Sequence, residues 1–332
     1  MYRKDKPLTL KGSASSMCNN LTIHVSSEKN QITYAIVHKA VANIVSTNID
    51  GTCPNHRQLL CKEPSTSGQA GVGFWNPILI QAKFLQVGSR MILVVTSQKA
   101  IQMYEGESSA LFYWHALGDP QATDTPTFSR GICHIEGTNT VCVGTFEGHI
   151  LVFNIPPKGT DVTLAEKLKG HKYPICDITS HNDNLVSSDD QGNIRVWQAR
   201  ADKFSTRAQI SGSGYPCSSL AVYSDIIAAG YGDGHLRIFN LSTGKMSAEI
   251  AAHARWVTAI DISSRGQLLS VGEDSFVHVW QLNHNGALLE VEHTFSESVS
   301  DLQLVGGRFV SPDGRAFCVT GYDSNELIFF RN

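Results

Sequence analysis

The chain has 332 residues, of which 42% are hydrophobic and 17% are charged, and its formal net charge is −3 at pH 7. The hydrophobic share is enough for a packed core, and the lack of a basic excess argues against nucleic acid or an anionic membrane as the partner. No stretch of about 18 apolar residues occurs, so no membrane-spanning helix is expected.

The N-terminal residues and the cysteines bear on cellular location. Arg3, Lys4 and Lys6 are not followed by an apolar stretch, so no signal peptide is predicted. The eight cysteines form no C-x-x-C pair, and five of them lie inside apolar strand patterns: Cys133, Cys142, Cys176, Cys217 and Cys318. Buried, reduced thiols explain this placement best, so we expect a location inside the cell, in the cytoplasm.

One pattern of apolar alternation, a short polar turn and renewed alternation recurs along the chain, and it indicates a β-hairpin. A degenerate first copy covers residues 20–38, and six clearer copies follow: Ile92–Tyr104, Val141–Phe153, Leu185–Trp197, Ile227–Phe239, Leu268–Trp280 and Cys318–Phe330. The six copies end 41 to 50 residues apart, and further strands flank each hairpin. Residues 1–332 are therefore predicted to form one all-β domain, a single seven-bladed β-propeller of four-stranded antiparallel blades.

Two of the copies carry residues that point to a family. Gly170–His171 precedes Trp197, and Ala252–His253 precedes Trp280, at distances that resemble the GH…W pattern of WD40 repeats. Over its full length the chain is similar to the WD-repeat-containing protein 54 family, through segments such as IQMYE, AAGYGDG, AAHARW, GEDSFVHVW and CVTGYD. No metal-binding spacing of the H-E-x-x-H, Cys₂His₂ or EF-hand kind occurs, so we expect neither a metal ion nor a cofactor.

Blade six holds a set of residues that allows two interpretations. The resemblance implies that His253, Ser270, Asp274 and Trp280 form the hydrogen-bonded structural tetrad of a WD40 repeat. Three of them are also the residue types of a hydrolase triad. However, neither a strained strand-to-helix elbow nor an oxyanion loop accompanies them. We therefore expect a buried network that ties a turn to the neighbouring strand, and no catalytic residue.

Blade four repeats part of this tetrad. His171, Ser187 and Trp197 are present, but Gln191 holds the turn position and Asp190 precedes it. Its network is expected to be incomplete or rewired through Asp190.

Blade five departs further from the tetrad. Ser213 replaces the histidine and Ala229 replaces the serine, while Asp233 is kept. This blade is expected to depend more on packing than on polar contacts.

Binding residues concentrate on loops that a rigid scaffold holds in place. In a propeller, the loops that lead into the inner strands and the hairpin turns line one narrow face around the central channel. Tyr and Trp provide large contact areas there at low entropic cost. The candidates are Tyr173, Tyr215 and Trp256 from lead-in loops, and Phe146, Asp190, Glu273 and Tyr322 from hairpin turns. The alternative is that several of them only plug the mouth of the channel.

The predicted outer strand of blade two, Ala110–Leu117, is dense in aromatic residues, with Phe112, Tyr113 and Trp114 in succession. An exposed outer strand of this kind is an association site, so self-association into a homo-oligomer is a second expectation. The alternative is that residues 48–76, interpreted as a long loop between blades one and two, fold over this strand.

The two chain ends are predicted to close the ring. The last copy stops at the end of its third strand, which would leave an open sheet edge. Leu10–Ser13 parallels Leu168–His171, where another outer strand leads into the next blade. We therefore expect residues 7–11 to pair antiparallel with residues near 325–331, as the outer strand of blade seven.

These features favour a non-catalytic scaffold for protein–protein interaction that binds its partners through the narrow-face loops. The alternative is a propeller with a small-molecule or catalytic site in the central channel, which clustered carboxylates or a His/Asp set lining that channel would favour. A nucleic-acid or phosphoinositide binder is a third reading, and the lack of a basic stripe argues against it.

Overall fold

The computed structural model describes residues 1–64, 74–118, 127–200, 203–285 and 288–332. Within these ranges the chain is built from strands and turns, without a helix, and therefore without any helix that could span a bilayer. It divides into two compact units, residues 22–175 and residues 1–21 together with 176–332. The second of these is called the terminal unit below.

The strands in chain order are β1 (Arg3–Lys4), β2 (Leu8–Thr9), β3 (Thr22–Ser26), β4 (Gln31–His38), β5 (Val41–Asn48), β6 (Asn55–Leu60), β7 (Glu63–Pro64), β8 (Phe74–Trp75), β9 (Leu79–Val87), β10 (Arg90–Ser97), β11 (Ala100–Glu105), β12 (Leu111–Ala116), β13 (Ser129–His134), β14 (Thr140–Thr145), β15 (His149–Asn154), β16 (Thr163–Lys169), β17 (Ile175–His181), β18 (Asn184–Asp189), β19 (Ile194–Arg200), β20 (Lys203–Ile210), β21 (Cys217–Tyr223), β22 (Ile226–Tyr231), β23 (His235–Asn240), β24 (Met246–Ala251), β25 (Val257–Ile262), β26 (Gln267–Gly272), β27 (Phe276–Asn285), β28 (Leu288–Ser298), β29 (Leu304–Phe309), β30 (Ala316–Gly321) and β31 (Glu326–Arg331).

Apart from β7 and β8, which pair with each other, the strands form seven antiparallel sheets, which are the blades. Residues 22–175 hold blade one (β3–β6), blade two (β9–β12) and blade three (β13–β16). The terminal unit holds blade four (β17–β20), blade five (β21–β24) and blade six (β25–β28), and blade seven consists of β29–β31 with β1 and β2. The fold is the predicted seven-bladed β-propeller of four-stranded antiparallel blades.

The aromatic residue that ends each repeat marks an irregularity in its sheet. In blades two to six the third and fourth strands shift register immediately before Tyr104, Phe153, Trp197, Phe239 or Trp280. A bulge of this kind adds one residue to a strand and increases its twist. All five aromatic rings are buried in the cores of their blades, so the recurring position in the sequence corresponds to a recurring packing site.

Blade one differs from the expected arrangement. The degenerate copy at residues 20–38 corresponds to the first and second strands, β3 and β4, whereas the hairpin equivalent to the other copies is β4–β5. Within residues 48–76, β6 is the outer strand of this blade and β7 pairs with β8, while residues 65–73 lie outside the described part. The segment is therefore not simply a long loop. β6 was missed because most of its residues face solvent and lack apolar alternation.

The expected closure by the N-terminal strand is present and begins earlier than predicted. Leu8 pairs with Leu327 and Thr9 with Glu326, and β1 adds a second pairing of Arg3 with Arg331. Tyr2 fills the core of this region, where its ring packs edge-on against Phe295 and Phe317. The two short strands are separated at Pro7, which has no N–H to donate to a sheet.

The cysteines agree with the expectation of buried thiols. All eight are free, and Cys53 alone is exposed. The five that were placed inside strand patterns are buried in their sheets.

Candidate functional site

In the terminal unit, hydrogen bonds join the lead-in loops and hairpin turns of successive blades. The N–H of Gly232 donates to the carbonyl of Pro216 at 2.9 Å, and the N–H of Glu273 donates to the carbonyl of Trp256 at 2.9 Å. Farther along, Tyr322 N–H donates to the carbonyl of Gln303 at 2.8 Å. The exposed aromatic and charged residues of these loops, together with the half-buried Glu273, are here called the loop surface: Asp190, Tyr215, Arg255, Trp256, Glu273, Asp301, Tyr322 and Asp323.

Trp256 has the most defined position on the loop surface. Its side chain is 39% exposed, yet its ring lies directly on the backbone of Gly232. A Cβ atom at position 232 would lie 3.0 Å from Cε2 of the indole, so the glycine leaves the space that the ring occupies. The backbone beneath and the hydrogen bond from Glu273 thus hold an exposed aromatic ring in place.

Two further aromatic residues lie on the neighbouring loops. Tyr215 is 52% exposed, and a Cβ at Gly192 would lie 2.5 Å from the Tyr215 carbonyl oxygen, so the preceding hairpin turn contacts this loop closely. Gly192 also has a φ of 79°, which favours glycine. Tyr322 is 48% exposed and forms a β-bridge with Ala14. Of the seven candidate residues, the structure therefore brings Asp190, Tyr215, Trp256, Glu273 and Tyr322 into one connected set of loops.

The other two candidates lie in the unit of residues 22–175. Phe146 is half-buried and packs edge-on against Phe128, with ring centroids 5.1 Å apart. Tyr173 is exposed, and its carbonyl oxygen would lie 2.7 Å from a Cβ at Gly148. Phe146 is thus partly engaged in packing, whereas Tyr173 presents its ring to solvent.

The four tetrad residues of blade six form one continuous hydrogen-bonded chain. Trp280 Nε1 donates to Ser270 Oγ at 3.1 Å, and Ser270 Oγ lies 3.0 Å from His253 Nε2. His253 Nδ1 lies 2.9 Å from Asp274 Oδ1, and because the carboxylate accepts, this nitrogen carries the proton and Nε2 accepts from the serine. Each group thus donates a hydrogen bond to the next, from the Trp280 indole to the Ser270 hydroxyl, then to the His253 imidazole and finally to the Asp274 carboxylate.

Asp274 also binds the backbone of both loops that it joins. Its carboxylate accepts from the N–H of Ala254 at 2.8 Å and from the N–H of Phe276 at 3.2 Å. Burial favours a raised pKa for Asp274, but the hydrogen bonds from His253 and these two amides outweigh it and leave the pKa below its usual value. The network therefore fixes the loop that presents Trp256 to the turn that presents Glu273.

A histidine pair next to this network was not anticipated as a unit. His278 Nδ1 lies 3.1 Å from His293 Nε2, and the His278 ring packs edge-on against His253 at 4.8 Å. Burial, together with the neighbouring His253 and His293, lowers the pKa of His278 to about 4. The two residues are 15 positions apart in the chain, and only the pairing of β27 with β28 brings them together.

Blade four corrects one expectation. Trp197 Nε1 donates to Ser187 Oγ at 2.9 Å, as in blade six, but the turn is organised by Asp189 and not by Asp190. The buried Asp189 carboxylate accepts from the N–H groups of Gln191 and Asn193, both at 3.0 Å. Asp190 is exposed, because the strand places the first aspartate inward and the second outward. His171 is buried within residues 22–175.

In blade five an arginine takes the role that histidine has in blade six. Asp233, the retained turn residue, accepts from Arg237 Nη2 at 2.8 Å, and the Arg237 guanidinium lies 4.3 Å from the centroid of the Tyr231 ring. Burial tends to raise the pKa of Asp233, but the hydrogen bonds from Arg237 and the His235 N–H lower it overall. Ser213 is exposed and Ala229 is buried, so neither supplies a polar tie, but the Asp233–Arg237 pair gives this blade one in addition to its packing.

Asn19 is a buried polar residue that sequence reasoning missed. It has a φ of 55°, and its N–H donates to the Thr258 carbonyl at 2.9 Å. Its side chain donates to Asp177 Oδ2 and accepts from Ser219 Oγ at 2.8 Å. The N-terminal segment thus lies against the inner strands of blades four, five and six. A lone Asn in a Ser-rich stretch carries no sequence signal for this role.

The expected outer strand of blade two is present as β12. Its Tyr113 and His115 rings pack against Phe153 of blade three, at 5.8 and 5.3 Å. Phe112 lies beneath the Arg90 guanidinium, 4.0 Å from the ring centroid. Trp114 is 38% exposed. Phe153 of blade three therefore covers one side of this strand, and the alternative that residues 48–76 fold over it lies partly outside the described residues, because 65–73 are not among them.

Comparison with known proteins places the chain in a family. The family model of WDR54 matches residues 1–332. WD repeat domain 54 of Rattus norvegicus and WD repeat-containing protein 54 of Mus musculus are each 38% identical to the chain. Each alignment is 341 positions long and covers 99% of this chain and 99% of the relative. WD repeat-containing protein 54 of Homo sapiens is 38% identical over 338 residues, covering 98% of both chains.

Solved structures agree on the fold. A chain of the mitotic checkpoint complex crystal structure superposes with a TM-score of 0.72 at 18% identity, covering 99% of this chain and 91% of that one. The structure of U3-55K gives a TM-score of 0.71 at 13% identity, with 100% and 98% coverage. The identities are too low to indicate more than the shared fold. The match over the whole length, at 38% identity to the curated relatives, shows that this chain belongs to the WDR54 family of WD-repeat proteins.

Proposed function

We propose that this chain is a non-catalytic scaffold that binds protein partners through the loop surface. The observation that carries the proposal is Trp256, a large exposed ring whose position is already set by the backbone of Gly232. A ring that is ordered before binding loses little conformational entropy when a partner covers it. Tyr215 and Tyr322 extend the same surface on the neighbouring loops.

The test compares two tryptophan variants in cells by proximity labelling. Trp256→Ala removes an indole that is 39% exposed on the loop surface, and Trp114→Ala removes one that is 38% exposed on β12. We expect both variants to melt like wild type and only Trp256→Ala to lose labelled partners other than a second copy of this chain. Partner sets that are unchanged in Trp256→Ala, or equally reduced in both variants, contradict the proposal.

A second variant separates loss of the ring from loss of its position. Gly232→Ala keeps the indole but places a methyl carbon 3.0 Å from Cε2 of Trp256, which is closer than an ordinary van der Waals contact. We expect this substitution to displace the ring and to weaken capture of the same partners. Normal capture by Gly232→Ala would mean that the position of the ring does not matter.

We further propose that the Ser270–His253–Asp274 set has no catalytic role. Ser270 is fully buried, and its Oγ is already bonded to both His253 and Trp280. A fluorophosphonate probe, which labels activated serines, is expected to leave wild-type protein unmodified. Labelling that disappears in Ser270→Ala would instead support the catalytic alternative. A site that opens onto the inner strands of blades four to six is likewise disfavoured, since Asn19 lies against them.

Self-association is a second candidate property, and β12 is the feature that favours it. Leu111 and Trp114 are exposed on this outer strand. Light scattering at high protein concentration should detect a dimer that Trp114→Ala weakens. A monomer at all concentrations contradicts this proposal.

We also propose that the protein is located inside the cell, in the cytoplasm. Seven of its eight free cysteines are buried, which suits a reducing compartment. Fractionation of cells that express the tagged chain is expected to recover it with cytoplasmic markers, and recovery from the medium contradicts the assignment.

A further inference from the structure

We infer that the loop surface recognises a segment of its partner rich in Lys and Arg. This inference rests on the proposed function, because it takes the loop surface as the binding site and adds the chemistry of the occupant. Three observations support it. The charged residues beside the exposed rings are mostly acidic, several of these carboxylates form no ion pair among the described residues, and blade five contains a contact between Arg237 and Tyr231.

The charged residues of the loop surface are mostly acidic. Four of its residues are acidic and one, Arg255, is basic; the acidic residues are Asp190, Glu273, Asp301 and Asp323. Arg255 is already held by Glu273, with its Nε 3.5 Å from Oε2, whereas Asp190, Asp301 and Asp323 form no ion pair among the described residues. Three exposed carboxylates therefore remain for a positively charged partner.

Each exposed ring has a carboxylate beside it in the chain or across a hydrogen bond. Asp323 follows Tyr322 directly, and Glu273 donates its N–H to the Trp256 carbonyl. Asp190 precedes Gln191, whose carbonyl accepts from the Gly214 N–H next to Tyr215. The pairing of a ring with a carboxylate thus recurs along the loop surface.

A guanidinium or ammonium group satisfies both members of such a pair. The face of an aromatic ring attracts a cation, most strongly for Trp, while a carboxylate pairs with the same charge. Blade five already contains this combination, in which Arg237 lies 4.3 Å from the Tyr231 ring centroid and is bonded to Asp233. Tyr231 immediately precedes Gly232, the platform of Trp256.

Other occupants match these residues less well. A nucleic acid or an acidic peptide would bring further negative charge to Asp190, Asp301 and Asp323 and would be repelled. A purely apolar segment would cover the rings but would desolvate the carboxylates without compensation. A basic segment is the occupant whose charge complements the surface.

The first experiment lets the protein choose its ligand. A phage library of random 12-residue peptides is selected on immobilised wild-type protein, and binders that also bind Trp256→Ala are removed. We expect the remaining peptides to be enriched in Lys and Arg relative to the unselected library. Trp256-dependent peptides that are neutral or acidic would overturn the inference and leave the proposed function standing. A selection without any Trp256-dependent peptide also overturns it, and the proposed function is then judged by the labelling experiment alone.

The second experiment tests the charges with the best selected peptide. Asp301 and Asp323 both have positive φ angles, which Asn tolerates, so Asp301→Asn with Asp323→Asn removes charge without straining the backbone. The matched control is Glu290→Gln with Glu292→Gln, which removes the same charge from exposed positions on β28. We expect the first pair to weaken binding about threefold to tenfold at low salt, and the control pair to leave it unchanged. Equal effects of the two pairs, or none from the first, overturn the inference.

Discussion

Asn19 donates a hydrogen bond from Nδ2 to Asp177 Oδ2 at 3.2 Å, across 158 positions of the sequence. The same Asp177 oxygen accepts from the N–H of Leu220 at 2.9 Å, so one buried carboxylate links the N-terminal segment to blades four and five. Ser219 completes the link, since its Oγ donates to Asn19 and accepts from the N–H of Ile260 in blade six. The closing segment is therefore held by side-chain bonds as well as by strand pairing.

Removing the Asn19 side chain should destabilise the protein. Asn19→Gly preserves the positive φ but removes one hydrogen bond from each of the buried residues Asp177 and Ser219, and we expect a loss of about 1–3 kcal/mol in the free energy of unfolding. Asn182→Gly is the matched control, because Asn182 also has a positive φ, 52°, but is exposed. Urea unfolding measures both, and equal stabilities of the two variants would count against a linking role for Asn19.

His253 of blade six should contribute to the free energy of unfolding, whereas Ser213, which takes its place in blade five, should not. His253→Ala removes one hydrogen-bond partner from each of the buried groups Ser270 and Asp274, and a loss of about 1–3 kcal/mol is expected. Ser213→Ala changes the corresponding position of blade five, where the side chain is exposed, and should have little effect. Thermal and denaturant unfolding provide the comparison. An unchanged melting temperature for His253→Ala would disprove the prediction.

His278 should make the protein sensitive to mild acid. Its folded-state pKa lies at about 4, below the usual value of 6.5, so its neutral form is favoured in the fold. The stability that this preference contributes is fully present above pH 6.5 and is lost as the pH falls towards 4. His253, His293 and Asp274 are the titratable neighbours. We expect His278→Gln to lose less stability than wild type between these pH values, and an NMR titration midpoint of His278 at or above 6.5 would contradict the assignment.

Replacing Glu63 with Gln should stabilise the protein at neutral pH. Its carboxylate is buried, only Oε1 is bonded, by Ser97 and Gln102, and Oε2 has no partner within the described residues. Burial raises the pKa of Glu63 above its usual 4.5, so the folded state favours the protonated form, and stability is lost as the pH rises through the folded-state pKa. Glu63→Gln should therefore be more stable than wild type at pH 7 and similar to it at pH 4. Equal stability at pH 7, measured by urea unfolding, would show that the ionised carboxylate carries no penalty.

The N-terminal closure should act on the whole fold. Deletion of residues 1–13 removes β1 and β2 and so exposes the edge of β31 that does not pair with β30, and a sharply lower melting temperature or insoluble protein is expected. Tyr2→Ala is the milder variant and should cost about 3 kcal/mol, because it empties the space between Phe295 and Phe317. Tyr173→Ala removes an exposed ring and should leave stability unchanged. A deletion variant that melts like wild type would show that closure is not needed.

Much of the fold was predictable because a blade is a local structure. Alternating apolar residues around a polar turn specify a hairpin within about 13 residues, as in Leu268–Trp280, and repetition of that unit indicates a propeller. The same local spacing identified the tetrad of His253, Ser270, Asp274 and Trp280. The closure by the N-terminus followed from counting strands, since the last blade lacked one.

The sequence by itself thus determined the blades, the tetrad and which loops carry aromatic residues. Only the tertiary structure decided what these residues contact. Gly232 supports Trp256, and Asn19 joins Asp177, because strands far apart in the chain lie side by side in the fold. Whether Asp189 or Asp190 points inward depends on where β18 ends, a difference of one residue that reverses the side-chain direction. The apolar periodicity of a strand predicts which of its faces is buried. Which residue a loop side chain contacts depends on how distant strands pack together, and no local pattern encodes that packing.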